Sequence, residues 1–301
     1  EAIATFPPAR NNQAAKTQAW TGRIPAVTDT KMIVAWNSLM ISGLARAAAV
    51  FQNSEYLDLA AQAAQFILHH QWVDRRFHRL NYSQLHDKLN DNSQAAVIAQ
   101  SEDYALFIKA LLDLHQASIG LTPLPPASPL SPQSWLDAAL RIQDEFDEFL
   151  WSVELGGYYN TDARDDLVVR ERGYDDNATP SANGVAIANL MRLFLLTEEM
   201  SYLDRAEQAL QSFSGVMAES PSVCPGLFVA LDWFRNATLI QTSGDRVAQL
   251  SRQYTPTAVY QIQPQLPEGV IGLVCQGLSC QEPARTPEQL QEQLQISLTR
   301  N

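Results

Sequence analysis

The chain has 301 residues, 46% of them hydrophobic, with 33 acidic against 21 basic side chains and a formal net charge of -12. That balance argues against a nucleic-acid partner, which requires a basic face. No run of 18 apolar residues occurs, so no membrane span is expected. The first 30 residues lack the basic start and apolar run of a secretory signal. Three cysteines, an odd number, fit a reducing cytoplasm better than a disulfide scaffold, and a cytoplasmic chain is expected. The sequence opens on Glu1 rather than Met, so it is expected to be a piece of a longer chain.

In chain order, the first strong element is WNSLMISGLARAAAVF (Trp36–Phe51), apolar on nearly all sides and so expected to be buried. It is followed by the amphipathic YLDLAAQAAQF from Tyr56. The same pairing recurs. EDYALFIKALLDLHQAS (Glu102–Ser118) precedes WLDAALRIQDEF from Trp135, and ANGVAIANLMRLFLLT (Ala182–Thr197) precedes YLDRAEQALQSF from Tyr202. The first and third buried segments align without gaps, so that Asn37 meets Asn183, Leu44 meets Leu190 and Arg46 meets Arg192. Self-similarity of this kind marks a repeat architecture. Three helical hairpins are predicted, over about 33–71, 102–149 and 181–219, the middle one widened by the Pro-rich LTPLPPASPLSPQ (Leu121–Gln133).

The links at roughly 73–101 and 150–180 are long, and the second carries Gly156-Gly157 in a setting that reads as a small β-hairpin. Each long link enters the N-terminus of a buried helix. The links and three such N-termini therefore belong at one end of the array, where loops and helix dipoles favour a site. From about residue 236 the pattern changes to strand, helix, strand, strand and a helix capped by Thr286, which predicts a small α/β unit over 236–301 after a helical unit over 1–235.

Three constellations stand at the helix entrances. They are Asp29, Lys31, Trp36 and Asn37; Glu102, Asp103 and Tyr104; and Asp175, Asp176, Thr179, Ser181 and Asn183. Carboxylates with amides and aromatic rings suit a sugar: ring faces stack, hydroxyls take paired hydrogen bonds, and two acids can serve as acid and base. Asp176, Glu102 and Asp103 are the candidate catalytic acids, and Tyr158 is the candidate aromatic wall with Trp36. Ser181 also reads as an ordinary N-cap, and acids ahead of a helix stabilise its dipole by roughly 0.3–1 kcal/mol each. Of the histidines, His115 reads as a core residue, His69 and His70 as the end of an outer helix, and His78 and His86 as link residues at the site end. Cys275 and Cys280 lack zinc-site spacing and read as small buried residues, and neither a metal nor a cofactor is implied.

The segments RIPAVTDTKMIVAWNSLMISGLARA, EDYALFIKALLDL, LGGYYNT, DDNATPSANGVAIANLMRL and VCQGLSCQEP resemble the C-terminal half of the large thioredoxin-domain proteins of the YyaL type, a family that includes the spermatogenesis-associated thioredoxin-like proteins. The resemblance runs from about Arg23 to Leu294. It implies a mainly α fold, an (α/α)6 toroid similar to six-hairpin glycosidases and sugar epimerases, of which three hairpins are present here. The thioredoxin-like domain and its Cys motif are absent from this sequence. The implied partners are a sugar-like small molecule and the missing N-terminal thioredoxin-like and half-toroid region, which should leave apolar helix faces open at the cut edges. The competing reading is a non-catalytic helical scaffold for protein partners of a thioredoxin module.

Overall fold

A computed structural model describes residues 31–73, 75–82, 97–121, 130–164 and 167–300. Asp29, His86 and most of the Pro-rich insertion lie outside the described residues. The three hairpins are α1 (Val34–Phe51) with α2 (Ser54–His70), α3 (Ser101–Leu121) with α4 (Pro132–Leu150), and α5 (Ala182–Thr197) with α6 (Met200–Glu219). The first helix of each pair forms an inner layer, α1 against α3 and α3 against α5, and each second helix backs its own partner from outside. The molecule is thus a mainly helical arc of α/α hairpins with a small sheet unit at its end. A fourth inner helix, α7 (Pro225–Asn236), packs on α5 and α6. Its twelve residues were not foreseen in the sequence, because it has no outer partner among the described residues and so breaks the hairpin repeat.

Local chemistry explains the boundaries. Gln52 and its repeat-mate Glu198 both end an inner helix in the left-handed region, at φ 53 and 62, and turn the chain into the outer helix. Asn53, Ser131, Ser181 and Thr286 cap the helices that follow them with side-chain oxygens. Small residues at contact positions, among them Ala35, Ala45 and Ala48 on α1, let the inner helices approach closely. Helix α3 is enclosed on nearly every side, as its apolar composition implies. Helix α1 differs from that expectation: Trp36 and Met40 are 60% and 64% exposed, because the arc has no further described helix on that side. By length and mean hydropathy (1.3) α1 also resembles a membrane span, yet its inner face packs on α2 and α3.

Between the first two hairpins β1 (Lys31–Ile33) pairs antiparallel with β4 (Leu80–Tyr82), and β2 (Trp72–Val73) with β3 (Arg76–Phe77). The expected hairpin at Gly156-Gly157 is a tight turn closed by a single bridge between Trp151 and Tyr158. Both glycines have positive φ (72 and 75), and a Cβ on either would sit within 3 Å of Gln208 or Phe213.

The terminal unit contains β5 (Thr238–Thr242), α8 (Gly244–Leu250), β6 (Ala258–Ile262), β7 (Gly272–Gln276), β8 (Ser279–Cys280) and α9 (Pro287–Ser297). The sheet order is β6-β5-β7-β8, with β5 parallel to β6 and antiparallel to β7. Alternation along the strands divides the core. Leu239, Val259 and Cys275 join the helical core, while Ile240, Tyr260 and Val274 pack with Val247, Leu290 and Leu294 beneath α8 and α9. One expectation is corrected here. Cys275 and Cys280 are not a pair of small buried thiols: they are opposite one another in the β7–β8 register and form a disulfide, with Cys280 exposed. Sequence spacing gave no sign of this, because only the hairpin register brings them together.

Candidate functional site

The two long links converge on the N-termini of the inner helices. The Arg79 carbonyl accepts from Val34 N at the start of α1 (3.1 Å), and the Asn160 carbonyl accepts from Ser101 N at the start of α3 (3.0 Å). At the start of α5, Asn183 is fully buried; its Nδ2 donates to the Tyr158 and Gly173 carbonyls, and its Oδ1 accepts from Tyr158 N at 2.7 Å. The end of the array proposed from chain direction is therefore a single assembly of loops and helix starts.

The structure assigns the predicted residues to different tasks. Asp103 is completely buried. Its Oδ1 accepts from Ala35 N (3.1 Å), and its Oδ2 accepts from Gln100 N (3.0 Å) and pairs with Arg79 Nη1 (2.9 Å). It reaches back over its own helix start, the reciprocal half of a capping box, while tying α3 to α1. Burial pushes its carboxyl up to about 6, against the opposing pull of Arg79. Tyr104 and Tyr158 are buried, their hydroxyls donating to Glu145 (2.5 Å) and Asp147 (2.6 Å). Asp176 accepts from Ser181 N (2.7 Å) through Oδ1 and from Gly226 N (2.6 Å) through Oδ2. It thereby clamps the start of α5 to the start of α7. Asn37, the repeat-mate of Asn183, is exposed and donates to the Ile33 carbonyl one turn back. Trp36 projects from α1, and Lys31 is exposed on β1.

A cleft of about 270 Å³ remains between the entrances of α3 and α5. Of the predicted residues it is lined by Glu102, Asp175, Thr179 and Ser181, and not by Asp103, Asp176, Trp36, Tyr104 or Tyr158. Of the expected cleft shared by Asp176, Glu102 or Asp103, Trp36 and Tyr158, only Glu102 lines this one; Asp103, Asp176 and Tyr158 are spent on packing or backbone bonds and Trp36 points elsewhere. Gln100, Asn160 and Asn177 also line it and were not foreseen. Asn160 and Asn177 lie on the second link without helical or strand periodicity, so only the folded path of the loop places them. Glu102 pairs with Arg79 Nη2 at 2.6 Å, whereas Asp175 is exposed with no partner among the described residues. The wall is thus amides, hydroxyls and two carboxylates, one neutralised and one free. Among the described residues no three His, Cys, Asp or Glu side chains gather as metal ligands.

No protein-family model matches the chain. It is 34% identical over 218 residues to rat (Rattus norvegicus) spermatogenesis-associated protein 20, covering 71% of this chain and 26% of that protein. The human (Homo sapiens) protein of that name is 28% identical over 300 residues, covering 88% of this chain and 36% of its own length. The chain is homologous to part of the spermatogenesis-associated protein 20 family. It spans about a quarter to a third of the length of these relatives. Among solved structures, it is similar to a GH76 α-mannanase of Bacteroides thetaiotaomicron (TM-score 0.46, 18% identity, 67% of this chain and 50% of that one). It is also similar to a D-mannose isomerase (0.45, 18%, 62% and 42%) and to the cellobiose 2-epimerase of Spirochaeta thermophila (0.46, 17%, 64% and 46%).

Proposed function

We propose that the chain contributes a binding cleft for a polyhydroxylated, carbohydrate-like molecule at the entrances of α3 and α5. The carrying observation is the lining: Gln100, Asn160, Asn177 and Thr179 offer neutral donors and acceptors around the unpartnered carboxylate of Asp175. Hydroxyl groups are matched by such mixed donor and acceptor sets, and a carboxylate accepts two of them at once. Should the cleft also carry out acid–base chemistry, Glu102 and Asp175 are the acids that face it; Asp103 and Asp176 are occupied by backbone N–H groups. The reading is tested by titrating neutral and acidic mono- and disaccharides into the chain and into D175N and E102Q. The expected result is a saturable sugar-dependent signal that D175N weakens about tenfold, the loss of one charge-assisted hydrogen bond. No response to any sugar, or an equal response in D175N, overturns it.

A scaffold reading has its own support. The backbone-satisfied carboxylates of Asp103 and Asp176 make the helix entrances rigid, and Trp36 and Met40 leave an apolar face on α1. Binding of sugar by the chain alone discriminates between the two.

A further inference from the structure

At the opposite end of the inner helices lies a second pocket, of about 300 Å³, between α1, α3, α5, α7 and the segment following α8. Its charged lining residues are Arg46, Arg192, Arg252 and Asp113. The three arginines leave an excess of two positive charges in a chain whose net charge is -12. Arg46 and Arg192 are the repeat-mates of the sequence alignment, so the internal repeat aims two guanidinium groups, from the helices on either side of α3, at one point on α3.

The cations are only partly used. Asp113, 3% exposed, receives Lys109 Nζ (2.7 Å), Ser42 Oγ (2.5 Å) and Arg46 Nε (3.4 Å) at Oδ2, and Arg192 Nη2 (2.8 Å) at Oδ1. Lys109, which does not line the pocket, shares that carboxylate with the two arginines. The other nitrogens of Arg192, a side chain only 7% exposed, make no hydrogen bond among the described residues. The same holds for Nη1 and Nη2 of Arg46, and Arg252 has no partner at all among the described residues. Arg46 (62% exposed) and Arg252 present their free donors at the open side of the pocket, with Arg192 deeper, and the fork of an arginine matches an oxyanion in two bonds. The rest of the wall is mixed: Ala49, Val50, Trp233 and Tyr254 stand beside the neutral polar Gln116, Ser251, Gln253 and Thr255, with the Arg192 Cζ 6.0 Å from the centre of the Trp233 ring.

We propose that this pocket binds a small phosphate compound, its dianionic group held by Arg46, Arg192 and Arg252 and its remaining part lying along Trp233 and Tyr254. The excess charge of two favours a phosphate monoester over a monocarboxylate, and the volume admits a molecule of sugar-phosphate size. Asp113 orients the two repeat-mate arginines, so its carboxylate is a positioning group.

The test is isothermal titration of the full chain with inorganic phosphate, glucose 6-phosphate and glucose at constant ionic strength, beside R46Q, R252Q and D175N. Both phosphates are expected to bind, and any glucose binding, which belongs to the cleft between α3 and α5, should be unchanged by R46Q and R252Q. R46Q and R252Q should each weaken phosphate binding about tenfold with little change in melting temperature, and D175N should leave it unchanged. Tighter binding of glucose 6-phosphate than of inorganic phosphate that persists in D175N and is lost in R46Q and R252Q assigns the pocket to an ester, and equal binding assigns it to the free anion. Absence of phosphate binding, or binding that both arginine variants retain in full, overturns the proposal. Loss of phosphate binding in D175N instead would move the anion to the cleft between α3 and α5.

Discussion

Replacing Asp176 separates a structural clamp from a ligand-facing acid. Its two oxygens accept from Ser181 N at 2.7 Å and Gly226 N at 2.6 Å, joining two helix N-termini whose own dipoles favour a negative charge there. Hydrogen bonds to a charged group contribute about 1.5–3 kcal/mol each. Asp176 is half-buried, so water replaces part of this, and Asp176→Ala is expected to cost about 2–3 kcal/mol. At roughly 2–4 °C per kcal/mol in a domain of this class, the melting temperature should fall by about 5–10 °C. Asp176→Asn keeps one acceptor but turns its amide nitrogen toward the other N–H, so its loss should be of similar sign and no larger. Thermal melts by circular dichroism, with urea titration as a check, measure both. An alanine variant within about 0.5 kcal/mol of the parent refutes the clamp. An asparagine variant of unchanged stability that loses sugar binding would return Asp176 to the cleft.

Gly184→Ala should also lower stability, although alanine gains about 1 kcal/mol over glycine in a helix. Its Cβ would lie 2.7 Å from the Gly226 carbonyl carbon and 2.9 Å from the oxygen, and such overpacking costs about 1–3 kcal/mol, so the melt should move downward. Asp113→Asn should cost about 3–5 kcal/mol by leaving Lys109, Arg46 and Arg192 without their counter-charge. Burial alone would raise the Asp113 carboxyl, but Lys109, Arg192 and Arg46 outweigh it and hold it well below the usual carboxylate range. A depressed folded value means its contribution is complete above about pH 4 and lost below it. The stability gap between parent and Asp113→Asn should then stay level from pH 7 to about pH 5 and shrink in stronger acid. Thiol titration of the unreduced, denatured chain should find one free thiol, Cys224, and three after reduction; three before reduction would contradict the Cys275–Cys280 pairing.

Hydropathy periodicity alone determined the hairpins, because an inner helix must be apolar nearly all round and an outer helix on one face. The strands and Thr286-capped helix of the terminal unit were legible for the same reason. The end of the array that holds the helix entrances followed from chain direction, which is fixed by short turns and long links. The role of each polar residue at those entrances was not legible. Asp175 and Asp176 are neighbours in sequence, yet one faces the cleft and the other bridges two helix starts. Asn37 and Asn183 are repeat-mates, yet one is exposed at the edge of the arc and the other buried beneath the second link. A carboxylate becomes a cap or a free acid according to which N–H groups lie within hydrogen-bond reach, and those come from segments as far as 68 positions away, as Ala35 does for Asp103. The convergence of Arg46 and Arg192 on Asp113 was written in the repeat but became chemistry only when packing set α3 between α1 and α5.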